Sequence, residues 1–325
     1  MDPVKIFKRP RLKKPYLIVA WPGMGDVAFR AATYLVEQLK AEEFAKIEAS
    51  EFFYLTSSAI DAGILKMPDL PQSRFFFWKN KAGKNDLIIF LSNAQPDLSK
   101  AEEYSRAIIN LAKSFHVQMV VSFASMPLTL EHIHASKVWF AATNSQLRET
   151  LKKNDFSLLN QGQISGMNGL FLSFAKKAGL EGCCLLGEIP LYTIQIENPK
   201  ASAAVLAGLA KILGVAFDLA VLNQQAAAME EEINKLLDFL KLGPPQAGAP
   251  APIGDEEIEL IKKSLSQLTK LPGSVKEKIE NLFKQSQENI AKANELKVEL
   301  DKWNVYKEYE DRFLDLFRKN RDKGN

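Results

Sequence analysis

The stretch Tyr16–Lys40, YLIVAWPGMGDVAFRAATYLVEQLK, decides the fold class. Its first residues, Tyr16–Trp21, form an unbroken apolar run of strand length, stopped by Pro22-Gly23. From Val27 to Lys40 apolar and polar residues recur at helical spacing. The stretch reads as strand, tight turn, helix. Working outward, Phe52–Leu55, Phe75–Trp78, Leu87–Leu91, Val117–Phe123 and Val138–Ala142 are further strand candidates, followed by Cys183–Leu186. The turn-rich segment Lys79–Asn85 predicts a hairpin between two of them, hence a mixed sheet. Helix starts are signed by Ser99 with Glu102, by Thr143 with Gln146, and by Asn198 before Pro199. Helices are expected over Gly169–Ala178, Lys200–Leu213 and Leu219–Lys241. This alternation predicts an α/β three-layer sandwich with a mixed central sheet. Two readings stay open for Phe75–Trp78: an apolar face that meets another copy, or a central strand covered on both faces.

Strand signals stop near Gly243. The segment GPPQAGAPAPIG, residues 243–254, is too rich in Pro and Gly for a helix or central strand and reads as a semi-extended linker. The expected organisation is a core over residues 1–242, this linker, and a helical, coiled-coil-like appendage over 255–325. In the appendage Ile258, Ile261, Leu265 and Leu268 form one apolar stripe. After Pro272-Gly273, Ser274 with Glu277 opens a final long helix carrying Ile279, Leu282, Leu296, Leu300 and Trp303. Ser286, Asn289 and Lys307 interrupt that stripe, so packing within the chain and an intermolecular coil are both open.

With 46% hydrophobic and 25% charged residues the chain is of globular composition, not disordered, collagen-like or disulfide-stapled. A net charge of +3 gives no bulk attraction to nucleic acid or to anionic membranes, and neither is expected as a partner. The basic start Lys5–Lys14 lacks aromatic interleaving and reads as a solvated arm. Two adjacent cysteines, Cys183 and Cys184, make no disulfide framework and fit a reducing compartment. The run Tyr16–Trp21 is too short for a signal-peptide core, and no stretch nears the ~20 apolar residues of a membrane span. A cytoplasmic protein is expected.

Gly23-Met-Gly25-Asp26-Val-Ala28 matches G-x-G-x-x-A after a strand, the turn that brings a pyrophosphate to a helix N-terminus. Pro22 removes a donor there, however, and Asp26 places a negative charge where phosphate would lie. Glycines recur in Gly162-Gln-Ile-Ser-Gly166-Met-Asn-Gly169, where Ser165 and Asn168 either meet a ligand or cap the next helix. Gly187 and Glu188 follow the strand Cys183–Leu186; Glu188 is the best single candidate for a functional acid, against the reading of a loop carboxylate holding backbone N–H groups. Ligands of open α/β sheets bind beyond the carboxyl ends of strands, so Gly23, Gly25, Asp26, Ser125, Asn168, Gly187 and Glu188 are candidates for one ligand or partner rim, with Ser92–Gln95 beside it. His116, His132 and His134 complete no metal-ligand set, and no nucleophile elbow or phosphate loop is present. No catalytic residue, metal or cofactor is expected.

The blocks PYLIVAWPGMGDVAFRAATYLVEQLKA, GKNDLIIFLSNAQP, GQISGMNGLFLSFAKKAGLEGCCLLGEIPLY and NPKASAAVLAGLAKILGV occur in an order that resembles the proteasome assembly chaperone 2 family, in its archaeal and bacterial branch, over Pro15–Leu242. The resemblance implies a phosphorylase/hydrolase-like sandwich without recognisable catalytic groups, forming homo-oligomers. Its eukaryotic members help assemble the proteasome α-ring and its archaeal members are chaperone-like. Archaeal members that dock on proteasomes use a C-terminal hydrophobic-Tyr-any tail; this chain ends Lys323-Gly324-Asn325, so docking by the tail is not expected. The expected function is a non-enzymatic chaperone-like or assembly scaffold protein that binds itself and a proteasome-like or other protein client. The rival is a small-ligand-binding protein or hydrolase/phosphorylase-like enzyme using a sheet-end cleft with Gly23–Asp26, Asn168 and Glu188.

Overall fold

The computed structural model describes residues 3–54, 58–81, 83–242, 273–288, 292–302 and 305–321. The linker 243–254, the stripe Ile258–Leu268, Asn289, Trp303 and the tail Lys323–Asn325 lie outside them. The chain divides into two compact units, Met1–Pro190 with Ile196–Met229, and Leu191–Gln195 with Glu230–Asn325.

In the first unit the strands are β1 (Val4–Ile6), β2 (Tyr16–Ala20), β3 (Glu42–Ile47), β4 (Ala59–Asp61), β5 (Ile64–Lys66), β6 (Ser73–Trp78), β7 (Leu87–Ser92), β8 (Met119–Leu128), β9 (Val138–Ala142), β10 (Ser157–Leu158) and β11 (Gly182–Pro190). The helices are α1 (Val27–Gln38), α2 (Ala101–Ser114), α3 (Ser145–Lys152), α4 (Met167–Lys177), α5 (Pro199–Leu213) and α6 (Ala220–Leu242), which runs on into the second unit. Among the described residues the main sheet has nine strands in the order β1-β3-β6-β7-β2-β8-β11-β9-β10. Its centre, β7-β2-β8-β11, is parallel, and β6 joins β7 antiparallel through the expected hairpin. The sheet is mixed, with helices on both faces.

Strand alternation divides the core. Leu17, Val19, Trp21, Ile88, Phe90, Cys184 and Leu186 turn to the α2/α4 face, where Tyr104, Ile108 and Phe171 complete a continuous apolar cluster. On the other face α1 packs against α5, and Ala201 of α5 approaches β11 so closely that a Cβ on Gly187 would meet its carbonyl oxygen at 2.9 Å. Burying side chains this size stabilises by about 1.5–3 kcal/mol each, so the two-sided burial of β2 and β11 holds the unit together.

Several expected elements differ. Phe52–Leu55 is no strand: Phe52 and Phe53 follow a 3-10 turn and are buried against the ring of Tyr104, at 5.1 and 5.8 Å. Leu55 is outside the described residues. The strand of this region is β3, whose charged Glu42, Glu43 and Lys46 leave only Phe44, Ala45 and Ile47 buried. Ser99 does not cap α2; Asp97 accepts its N–H at 2.8 Å and opens a 3-10 turn ahead of the helix. Asn144, rather than Thr143, caps α3, accepting from Leu147 N–H at 2.7 Å. The third cap is as expected, Asn198 accepting from Ala201 N–H at 3.0 Å. In β6, Phe75 and Phe77 are buried while Phe76 and Trp78 are half-buried, so this inner strand is fully covered on one face only.

In the second unit the single long helix expected beyond Ser274 is instead three: α7 (Gly273–Glu288), α8 (Ala293–Lys302) and α9 (Tyr306–Arg321). Past the end of α8, Val305 N–H returns to the Leu300 carbonyl, a closing bond that terminates a helix. Ile279, Leu282, Phe283, Leu296, Leu300 and Phe313 form the core of this unit, so the apolar stripe buries against neighbouring helices of the same chain. Arg312 clasps Glu280 through two bonds of 2.7 and 2.8 Å and lies 4.4 Å over the Phe283 ring. Ser286 is buried, and among the described residues its hydroxyl has no hydrogen-bond partner.

Candidate functional site

The chain leaves β2 at Trp21, which is fully buried with its ring 5.3 Å from Phe90 and 5.6 Å from Phe171. The β2 ladders end at Ala20 on the β7 side and at Val19 on the β8 side, so the Trp21 backbone needs another partner. Asn168, in the first turn of α4, supplies both bonds: its Oδ1 accepts from Trp21 N–H at 3.0 Å and its Nδ2 donates to the Trp21 carbonyl at 2.9 Å. Asn168 is neither a cap nor a free ligand group; it prolongs the sheet by one residue. Gln95 works likewise, donating to the Pro22 carbonyl at 2.8 Å and accepting from Met167 N–H at 3.1 Å. Gly166 is required beside it, since its φ is +71° and a Cβ would meet Gln95 at 2.7 Å.

Gly25 and Asp26 turn to the α5 side. Gly25 has φ +61°, its carbonyl accepts from Asn198 N–H at 2.8 Å, and a Cβ there would stand 3.0 Å from Ile189 of β11. Asp26 is left-handed too, at φ 45°. Burial, and then the Glu197 carboxylate, push its carboxyl up to about 6, against a hydrogen bond from the Gly23 backbone and the charge of Arg30. Two carboxylates beside the first turn of α1 give a site of the wrong sign for pyrophosphate.

Glu188 lies inside β11, not in a loop, and is buried. Its carboxylate accepts from the Trp139 indole N–H at 2.7 Å and from Lys137 N–H at 3.3 Å, while Ser136 Oγ donates to its carbonyl at 2.8 Å. It therefore secures the β8–β9 connection to the sheet. Ser125 is buried opposite Gly187 in the β8–β11 ladder.

Gly23 stands beside Asn168, its missing Cβ 3.5 Å from Asn168 Nδ2, whereas Gly25 packs with Ile189 and Asn198 and Gly187 with Ala201. Glu188 is spent on Trp139 and Lys137. What the arrangement does chemically is pin strand ends. Among the described residues no group of three His, Cys, Asp or Glu is placed to hold a metal. Cys183 and Cys184 are fully buried, and burial pushes both thiols up, which keeps them protonated at neutral pH.

Sequence reasoning missed an exposed apolar feature. Among the described residues strands β4 and β5 pair only with each other, around Ala62 and Gly63 at φ 49° and 79°, the left-handed pair of a tight hairpin. Ile60, Ile64, Leu65 and Met67 are 65–81% exposed. The available signal was the run Ile64-Leu-Lys-Met67 between Gly63 and Pro68, an apolar group set among turn residues.

The PAC2 family model matches residues 17–237. An uncharacterised protein of Methanocaldococcus jannaschii is 29% identical over 231 residues, 70% of this chain and 85% of that protein. Among solved structures, Pyrococcus furiosus PbaB, an archaeal proteasome activator, superposes with a TM-score of 0.62 at 26% identity, covering 73% of this chain and 99% of that one. Pyrococcus furiosus PbaA, an archaeal homolog of proteasome-assembly chaperone, superposes with a TM-score of 0.56 at 26% identity, covering 72% and 96%.

Proposed function

From the premise that the chain belongs to the PAC2 family, we propose that it is a non-enzymatic, chaperone-like assembly scaffold that binds partner protein chains. The β4–β5 hairpin carries this reading. It holds four large apolar side chains in water on a unit whose core is otherwise well filled, and such a patch marks a protein-contact surface. Likeness to PbaB and PbaA supports a partner of the proteasome type. The phosphorylase/hydrolase-like sandwich serves as a rigid platform, in a cytoplasmic homo-oligomer that needs no cofactor. The helices beyond residue 255 form a separate interaction element. A chaperone of this kind requires only a higher affinity for the unassembled partner than for the assembled one. The rival, a hydrolase or small-ligand binder, needs Asn168 and Glu188 free to act, and both are engaged with backbone and indole groups.

Unassembled proteasome α-subunits from the same cell test the reading by co-elution in gel filtration. The full chain is expected to co-elute with them, and Ile64→Lys/Leu65→Lys to lose that association while keeping its melting temperature. No co-elution, together with a nucleoside- or phosphate-ester hydrolysis that Glu188→Gln abolishes, would replace this reading with the enzymatic one.

A further inference from the structure

The end of the sheet opposite the expected rim gathers cations from segments far apart in sequence. Asp86, buried at the start of β7, is the clasp: its carboxylate accepts from Lys13 N–H at 2.6 Å and from Asn80 N–H at 2.8 Å, and its own N–H donates to the Lys13 carbonyl at 3.1 Å. Asn85 Nδ2 adds a bond to the Lys14 carbonyl at 2.8 Å. These bonds lay the arm before β2 along the tip of the β6–β7 hairpin. Arg11, Lys13 and Lys14 from the arm thereby join Lys79, Lys81 and Lys84 from the tip, all six exposed. Further along the arm, Arg9 donates to the Ser114 carbonyl at 3.2 Å, at the C-terminus of α2. Asp86 is the one acid within 9–15 and 79–86, and it is consumed by backbone bonds. Among the described residues none of the six is in an ion pair, unlike Lys5 with Glu48 and Lys8 with Glu42.

We infer that this basic end is a docking surface for an acidic segment of a partner protein. The inference rests on the partner-binding reading above and names the chemistry of the partner. A lysine in a last helical turn is explained by the helix dipole, but the arm and the hairpin tip belong to no helix. Nor is the surface built for nucleic acid. Of the aromatic rings at this end, Phe77 and Phe115 are buried beneath Lys8 and Arg9, at 5.1 and 5.0 Å, and Tyr16 and Trp78 are half-buried in β2 and β6, so none is fully exposed for base stacking. What remains is five exposed lysine ammonium groups and the Arg11 guanidinium around a fixed backbone clasp, which suits carboxylates spread along a chain.

Fluorescence anisotropy of a short labelled polyglutamate, with an oligothymidylate of equal charge as comparator, tests this on the full chain. Polyglutamate is expected to bind, to weaken between about 50 and 200 mM salt, and to bind more tightly than oligothymidylate. Arg11→Gln/Lys14→Gln/Lys81→Gln/Lys84→Gln is expected to weaken it about tenfold or more with unchanged melting. The equal-charge control Lys152→Gln/Lys153→Gln/Lys176→Gln/Lys177→Gln is expected to leave it within about twofold. No polyglutamate binding, equal loss in the two variants, or tighter binding of oligothymidylate overturns the inference. Co-elution with proteasome subunits is read separately: binding of polyglutamate without co-elution leaves the acidic-segment surface standing and defeats the proteasome-partner reading.

Discussion

Asp26 occupies a backbone conformation that Asn accepts as readily, so the charge can be removed without moving the turn. Its carboxyl titrates at about 6 in the folded chain against 3.8 ordinarily. The folded state therefore binds this proton more tightly, and stability is lost as pH rises from about 4 to about 6. Asp26→Asn is expected to melt higher at pH 7, by roughly 1 kcal/mol after allowance for partial exposure, and to flatten that part of the pH–stability curve. Thermal melts of both proteins from pH 4 to 7 check the sign. Asn168→Leu acts oppositely. It strands the N–H and the carbonyl of buried Trp21 and is expected to cost about 2–4 kcal/mol in urea unfolding, more than Asn168→Asp, which keeps the acceptor. The sequence marked Asn168, Asp26 and Glu188 as residues worth attention, yet could not assign their partners. Trp21, Glu197 and Trp139 are brought to them only by the tertiary fold.

At the scale of elements, legibility followed burial. β2, β7 and β9 read as apolar runs and were expected nearly where they stand, whereas β8, expected over Val117–Phe123, runs on to Leu128. β3 was not, because it lies toward the sheet edge, and its solvated side chains are charged. Phe52-Phe53 misled for the converse reason: aromatic residues buried by a loop look like a strand. The turn between β2 and α1 depends on Gly25. Gly25→Ala adds a side chain at positive φ against Ile189 and is expected to destabilise by about 1–3 kcal/mol, whereas Gly179→Ala, at φ +82° with no atom within 4 Å of the added Cβ, incurs only the backbone part. Equilibrium unfolding of the two variants separates contact from conformation.

For the whole molecule, assembly is expected to belong to the α/β unit. Light scattering should find the full chain and residues 1–242 in the same homo-oligomeric state at micromolar concentration, the shorter chain still melting cooperatively. A monomeric short chain would move assembly to the helices after residue 242; a molten one would make those helices part of the core. Little of this scale was legible beforehand. Composition sets the class and the linker reading an expected boundary, but the basic end exists only once distant segments have been placed.

The position of β11 carries a consequence for biosynthesis. β8 and β9 are consecutive in the chain but do not pair with each other; β11, made later, lies between them and pairs with both. Until Pro190 has emerged from the ribosome, the nascent chain holds two facing edges with nothing between them, one of them the long apolar β8. At about 5–20 residues per second that interval lasts some seconds. The sheet is closed from its middle, and a polypeptide cut short before Gly182 keeps both edges open to any passing strand.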